Sequence, residues 1–400
     1  MKTLTAVIVL CLVVGCQPVS PVSIETAAPI KTVTIDQNRA FVVNGRPFFP
    51  IMSWAQPIKN FDKLSSVGIN TFCGDPGAAK AYCDAGQAAD RYVITHFDKT
   101  VAGHPYQLGW IHGDEPDMPA KKQDTETRTS RADNVPRRSA EQLADHFQRI
   151  KSTDTSRPVF MTFTSHFMKE FNDKYDQAAK DRIYPEFVKY CDVIGFDTYP
   201  VYGWNRPDWL DYPGRGVTQL RAIAGPQKPV YAWIETHKGS RWVTYEKQLD
   251  VLPRHTRSEV WLAVIRGATA IGYFTHAWRP EFTEFAPTEQ MQQELKRLNN
   301  QITRLAPVIL SAPAKTEVSI SIDGDVKADI MARRFKGRLY LFAVNYDPAE
   351  KSGTAAFNVP NLKAGTKIEV VDEDRSLKAQ KGFFTDSFDP LAVHIYRLKL

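Results

Sequence analysis

Short apolar runs recur along the first three quarters of the chain, and segments of helical spacing lie between them. The runs centre near residues 50, 71, 94, 110, 160, 195, 232 and 273. Each is apolar at consecutive positions, as strands buried on both faces are. Helices are expected over 61–67, 77–90, 139–152, 180–190, 217–224, 256–267 and 288–305. Ser139 and Gln142 stand as a capping box at the start of one of them. Alternation of this kind implies βαβ units with right-handed crossovers, and eight such units close into a (β/α)8 TIM barrel. An open doubly wound sheet would carry a glycine-rich phosphate turn after its first strand, and none is present. Before the barrel, residues 32–43 alternate as a strand pair and run into Asn44-Gly45, a hairpin turn signal.

Past Pro307 the period changes to two. Runs at 318–322, 329–335, 338–345, 353–359, 366–371 and 392–398 alternate, separated by Gly, Asp, Asn and Pro. They predict a small C-terminal antiparallel β-sandwich packed against the barrel. Residues 119–138 are polar and charged without hydrophobic period, hence a long loop, and 202–215 reads as a second one. The organisation expected is a leader over 1–15, a flexible tether over 16–31, a barrel over 32–306 and a β-sandwich over 307–400.

The leader expectation comes from Lys2 followed by an apolar core from Leu4 to Val14, too short to span a membrane as a mature helix. Val13-Val-Gly-Cys16 resembles a bacterial lipobox, which implies lipidation of Cys16 and a cell-envelope or secreted location. The segment after it is rich in Pro, Ser, Thr and Ala, as tethers are. Any membrane association would then run through the lipid anchor. Composition is globular, 43% hydrophobic and 24% charged. The net charge of +6 is small for 400 residues, and only a mild basic cluster occurs, Arg128 to Arg138, so nucleic acid is not an expected partner. Cys73, Cys83 and Cys191 are an odd set, against a disulfide framework, although the first two could pair. No CxxC or HExxH spacing is present, so neither metal nor cofactor is expected.

In a barrel the chemistry sits at the carboxyl ends of the strands. Those ends bring Trp54, His96 and Asp98, Asp114-Glu115, His166, Asp197 with Tyr199, Glu235 with His237, and His276 with Trp278. Glu115 ends the fourth inner strand within Leu108-Gly-Trp-Ile-His-Gly-Asp-Glu-Pro-Asp117, and Glu235 ends the seventh. Two carboxyls across a barrel mouth suit glycoside hydrolysis, one giving a proton and the other attacking the anomeric carbon. A separation of about 5 Å retains configuration, and about 6.5–9.5 Å admits a water and inverts it. Aromatic faces such as Trp54, Trp233 and Trp278 suit sugar rings, and the His and Asp side chains suit sugar hydroxyls.

These residues resemble clan GH-A, the retaining (β/α)8 glycoside hydrolases. Phe41-Val-Val-Asn-Gly-Arg-Pro-Phe-Phe-Pro-Ile resembles the entry motif of β-galactosidase-like members. Gly195-Phe-Asp-Thr-Tyr-Pro200 and Pro229-Val-Tyr-Ala-Trp-Ile-Glu235 resemble the clan's sixth and seventh strands. The resemblance implies Glu115 as acid/base and Glu235 as nucleophile, with Tyr199 and Trp278 beside the reaction centre. It departs from the clan at Asp114, where most members carry the Asn that binds the sugar 2-hydroxyl. An acid there raises its neighbour's pKa.

The expectation is therefore a retaining glycosidase acting on a β-linked glucan or galactan. Its substrate contacts are Trp54, His96, Asp114, Asp197, Tyr199, Trp233, His276 and Trp278. Two rivals predict different behaviour. A catalytically silent carbohydrate-binding lipoprotein would bind sugar without turnover, and a metal-dependent hydrolase built on His96, Asp98, His237 and His276 would be sensitive to chelators.

Overall fold

The computed structural model describes residues 26–120 and 134–400. Cys16, the leader and the basic residues from 121 to 133 lie outside the described residues. Strands β1 (Val33–Ile35), β2 (Phe41–Val43) and β3 (Arg46–Phe48) form a small antiparallel sheet. Asn44 and Gly45 turn β2 into β3 with φ of 51° and 77°, the left-handed conformation a two-residue hairpin requires. The apolar run from Arg46 to Trp54 breaks at Phe49-Pro50, and its second half opens the barrel.

The barrel strands are β4 (Ile51–Trp54), β5 (Thr71–Cys73), β6 (Tyr92–His96), β7 (Gln107–Ile111), β8 (Val159–Phe163), β9 (Val193–Asp197), β10 (Val230–Glu235) and β11 (Ala270–Phe274). They close in sequence order, and every neighbouring pair is parallel. This is the (β/α)8 barrel that the alternating pattern predicts. The longer helices between and after the strands are α1 (Phe61–Ser66), α2 (Ala79–Ala88), α3 (Ala140–Thr153), α4 (Gln177–Phe187), α5 (Pro200–Trp204), α6 (Tyr212–Ala224), α7 (Pro253–Ile265) and α8 (Glu289–Ile309). The capping box at α3 is formed: Gln142 donates its backbone N–H to the Ser139 hydroxyl, and Ser139 donates its own to the Gln142 side chain. A cap of this kind stabilises a helix by about 1 kcal/mol. Residues 202–215, expected as loop, instead hold the end of α5 and the start of α6.

Large rings fill the barrel axis. Phe160, Tyr231 and Trp233 are buried, and small residues on neighbouring strands make room for them. A Cβ on Gly195 would come within 2.1 Å of the Tyr231 ring, and one on Gly272 within 2.1 Å of Trp233. Only glycine permits such approach. At the opposite end, before the strands begin, a cavity of about 1120 Å3 is lined by Pro47, Phe49, Asn70, Arg91 and Arg304 among others. It lies away from the strand ends where barrel enzymes place their chemistry.

The C-terminal part is two antiparallel sheets around their own apolar core. Strands β12 (Ser319–Ile322), β15 (Gly353–Asn358) and β18 (Phe383–Phe388) form one sheet. Strands β13 (Ala328–Phe335), β14 (Arg338–Asn345), β16 (Lys367–Val370), β17 (Arg375–Lys378) and β19 (Val393–Leu398) form the other. The sequence pattern missed β17 and β18. In β18 the alternation is broken by a buried acid, Asp386, which pairs with Arg375 at 2.8 Å and accepts from the Tyr396 hydroxyl at 2.8 Å. The larger sheet packs on the barrel through Trp261 of α7, stacked on Phe342 at 5.6 Å, and through the Arg266–Asp329 ion pair at 2.9 Å. Cys73, Cys83 and Cys191 are buried free thiols, so the first two do not pair.

Candidate active site

The strand ends of β7 and β9 bring together the acids that matter most. Glu115 follows β7 with φ of 45°, a left-handed conformation that strains a residue with a side chain. It shares a side-chain hydrogen bond with Asp197, the last residue of β9. Arg137 returns from the 119–138 segment to donate to the Glu115 carboxylate at 3.3 Å and to the Asp114 carbonyl at 3.3 Å. Burial pushes Glu115 above the ordinary carboxylate range, opposed by Arg137, by the Asp197 hydrogen bond and by Arg241. Asp197 is pushed much further up by burial, then by the charges of Glu115, Asp114 and Asp117. Both carboxyls are thus pushed toward the protonated form, Asp197 further than Glu115.

Asp114 is open to solvent beside this pair, yet its carboxyl is raised to about 7, first by the atoms crowding it and then by Glu115. Asp117 lies beneath, without accessible surface. Its Oδ1 accepts from the Thr164 backbone N–H at 2.9 Å, and its Oδ2 from the Thr164 and Tyr184 hydroxyls at 2.6 and 3.0 Å. Tyr175 donates to the Asp117 carbonyl at 2.7 Å. These bonds hold the strained turn that presents Glu115.

His96 sits beside the acids at the end of β6. Asp75, on the loop after β5, accepts from its backbone N–H at 2.6 Å and bonds its ring Nδ1 at 2.9 Å, which raises the imidazole pKa. Tyr199 packs between Phe274 and Tyr202, and burial together with Asp197 keeps its phenol protonated. Trp54 forms part of the wall, edge-on to Trp233 at 5.5 Å.

Three expected site residues are buried. Trp233 is 2% accessible, with its indole N–H on the Thr162 hydroxyl at 3.2 Å, so it is the floor of the mouth and not a sugar platform. His276 is buried under Phe282, with its Nε2 3.2 Å from the Gln56 amide, and burial lowers its pKa. Glu235 has no accessible surface. Its two oxygens accept from the Val201 and Tyr202 backbone N–H groups at 3.0 and 2.6 Å, at the start of α5. Beside it lies Glu259 of α7, equally buried and held neutral by burial and by the Glu235 charge. Glu235 itself is raised to about 7, chiefly by burial. Glu115 and Glu235, at the ends of β7 and β10, thus engage different partners: Arg137 and Asp197 for the one, the α5 amides for the other. Among the described residues no three His, Cys, Asp or Glu gather as a metal site, and His96, Asp98, His237 and His276 do not converge.

The rim is aromatic. Trp204 follows β9, Trp242 follows β10, and Trp278 and Phe282 follow β11; all four are exposed. Sequence reading missed Asp75, Arg137, Arg241, Trp242 and Phe282. Asp75 closely follows β5, while the others lie well past their strand ends and only the returning loops bring them to the mouth.

No family model matches the chain, and no curated protein matches its sequence. Solved structures share its fold. An exo-carrageenase of GH42 from Bacteroides ovatus is 10% identical with a TM-score of 0.56, over 94% of this chain and 86% of that one. A GH42 β-galactosidase from G. stearothermophilus is 9% identical with a TM-score of 0.55, over 88% and 98%. A family 5 glycoside hydrolase from Bacteroides vulgatus is 11% identical with a TM-score of 0.53, over 94% and 95%.

Proposed function

We propose that this chain is a glycoside hydrolase that cleaves O-glycosidic bonds in a β-linked glucan or galactan at the strand-end mouth of its barrel. The observation that carries the reading is the Glu115–Asp197 pair, two adjoining carboxyls at the strand ends under a rim of exposed aromatic rings. The solved structures of like fold, among them a β-galactosidase and an exo-carrageenase, support it.

The chemistry follows from the asymmetry of the pair. Asp197 gives its proton to the leaving oxygen as the bond from that oxygen to the anomeric carbon breaks. Glu115, ionised beside Arg137, forms the new bond to the same carbon. Water then displaces Glu115 and returns a proton to Asp197. A retaining course requires these two carboxyls to flank the glycosidic bond about 5 Å apart, so the bound sugar replaces their direct contact. Tyr199 and His96 offer donors, and Asp114 an acceptor, to sugar hydroxyls.

A second pairing, Glu115 as proton donor with Glu235 as nucleophile, is favoured by their places after the fourth and seventh strands. It requires Glu235 to leave the two α5 amides. Hydrolysis of a panel of β-glucans, β-galactans and aryl β-glycosides by E115Q, D197N and E235Q variants decides. Loss of turnover in E115Q and D197N, with E235Q active, supports the first pairing. An active E115Q would sink both. We place the protein in a bacterial cell envelope through lipidated Cys16, a reading checked by metabolic labelling with a fatty-acid analogue in the wild type and a Cys16→Ser variant.

A further inference from the structure

We propose that the mouth also holds a binding site for an anionic sugar unit, with Arg241 as the residue that recognises its carboxylate or sulfate group. The inference rests on the glycoside-hydrolase reading for its saccharide, and on separate residues for its charge. Arg241 lies on the loop after β10 and is exposed. Its guanidinium carbon stands 4.8 Å from the centre of the Trp278 ring and 5.6 Å from that of Trp242. It has no hydrogen bond or ion pair among the described residues.

Other arginines of this face are engaged. Arg137 binds Glu115, Arg206 binds Asp208, and Arg215 binds Asp211 and Glu170. Arg241 is positioned by two indole faces and keeps its N–H edge free. That edge is a planar fork of donors matched to two oxygens of a carboxylate or sulfate.

The rings around it supply the rest of a sugar site. Trp242 is 59% exposed, Phe282 54% and Trp278 36%, a contiguous apolar patch of the kind that marks a binding surface. Phe282 lies 5.1 Å from Trp278, and Trp242 lies 6.0 Å from Tyr202, whose backbone amide binds Glu235. The patch therefore reaches the β10 end of the mouth, and the positive charge of Arg241 is felt at Glu115. Asp114, Glu115 and Asp197 would repel an anion at the centre itself. The charged unit belongs on the Arg241 side of the mouth.

The test uses matched pairs of saccharides with the full chain. One pair is a sulfated β-galactan oligosaccharide and its desulfated form. The other is a glucuronic-acid-containing β-linked oligosaccharide and its methyl ester. Calorimetric binding and hydrolysis are measured for the wild type, R241Q and R241K, with melting curves to check folding. The charged member of one pair is expected to bind about ten-fold more tightly, the effect of one charge-assisted bidentate contact. R241Q should bring that ratio to near unity, R241K should keep part of it, and added salt should narrow it. Which pair responds identifies sulfate or carboxylate. Equal binding within both pairs, failure to bind any member, or an unchanged ratio in R241Q, overturns the site. Hydrolysis of neutral members without charge preference overturns it and leaves the glycosidase reading standing. An Arg241-dependent preference without hydrolysis supports the site and sinks that reading.

Discussion

Replacing Glu235 by Gln removes a charge from a place without solvent. The wild-type carboxyl is raised from 4.5 to about 7, so the folded chain holds this proton more tightly than the unfolded chain by about 3 kcal/mol. The sign follows from proton counting. Below about pH 4.5 both states are protonated and the full stability is present. As pH rises toward 7 the unfolded chain ionises first, and stability is lost. Gln cannot ionise and imitates the protonated acid, with its amide oxygen able to accept from one of the α5 amides. E235Q should therefore match the wild type in urea unfolding near pH 5 and exceed it near pH 8, by up to about 3 kcal/mol. E235A should be weaker than both. It leaves the Val201 and Tyr202 N–H groups without a partner, a loss of about 1–3 kcal/mol for each. Turnover per folded molecule should survive in E235Q, since a side chain without accessible surface does not reach an anomeric carbon. A stable, folded E235Q with turnover lowered by orders of magnitude would refute this reasoning and return Glu235 to the reaction centre. A stability difference independent of pH would refute the burial argument by itself.

Three further outcomes follow from the same geometry. D114N removes one of the like charges that raise Asp197, so the alkaline limb of the kcat/KM profile should move to lower pH; an unmoved limb would separate Asp114 from the pair. D117A strips the partner from Thr164 and Tyr184 and should destabilise by about 3–5 kcal/mol in thermal or urea unfolding, with a loss under about 1 kcal/mol contradicting the anchor. W261A opens the contact between barrel and β-sandwich at Phe342 and should lower stability by about 3–5 kcal/mol, measured by denaturant midpoint with unchanged KM.

The barrel was readable because its strands are bare apolar runs between helices, a pattern that follows from burial on both faces. The acids after β7 were readable because a carboxyl at a strand end is conspicuous against that pattern. What Glu235 does was not readable. Strand alternation puts it on the face of Tyr231 and Trp233, toward the barrel axis, yet the last residue turns to the amides of α5. That helix is five residues long and begins at Pro200, too short for a hydrophobic period. Asp197 was recognised as a rim residue, but its pairing with Glu115 depends on strand register across the closed barrel. Arg241 gave no signal, because a lone arginine between Ser240 and Trp242 is unremarkable until Trp278 arrives from another loop. In the β-sandwich the buried ion pair of Asp386 with Arg375 disguised one strand as a turn, and the largely exposed β17 had no apolar face to show.

The rings packed along the barrel axis have a consequence for traffic. Phe160, Tyr231 and Trp233 fill the axis between the mouth and the cavity at the far end. Reactant and product share one doorway. On the proposed function, a long saccharide would lie across that doorway like a bar over an opening, not thread through it. The length of chain it accommodates is then set by the span from Trp204 to Trp242 and Trp278, and loop exchange at those three positions is the route to altering chain-length preference while the barrel stays intact.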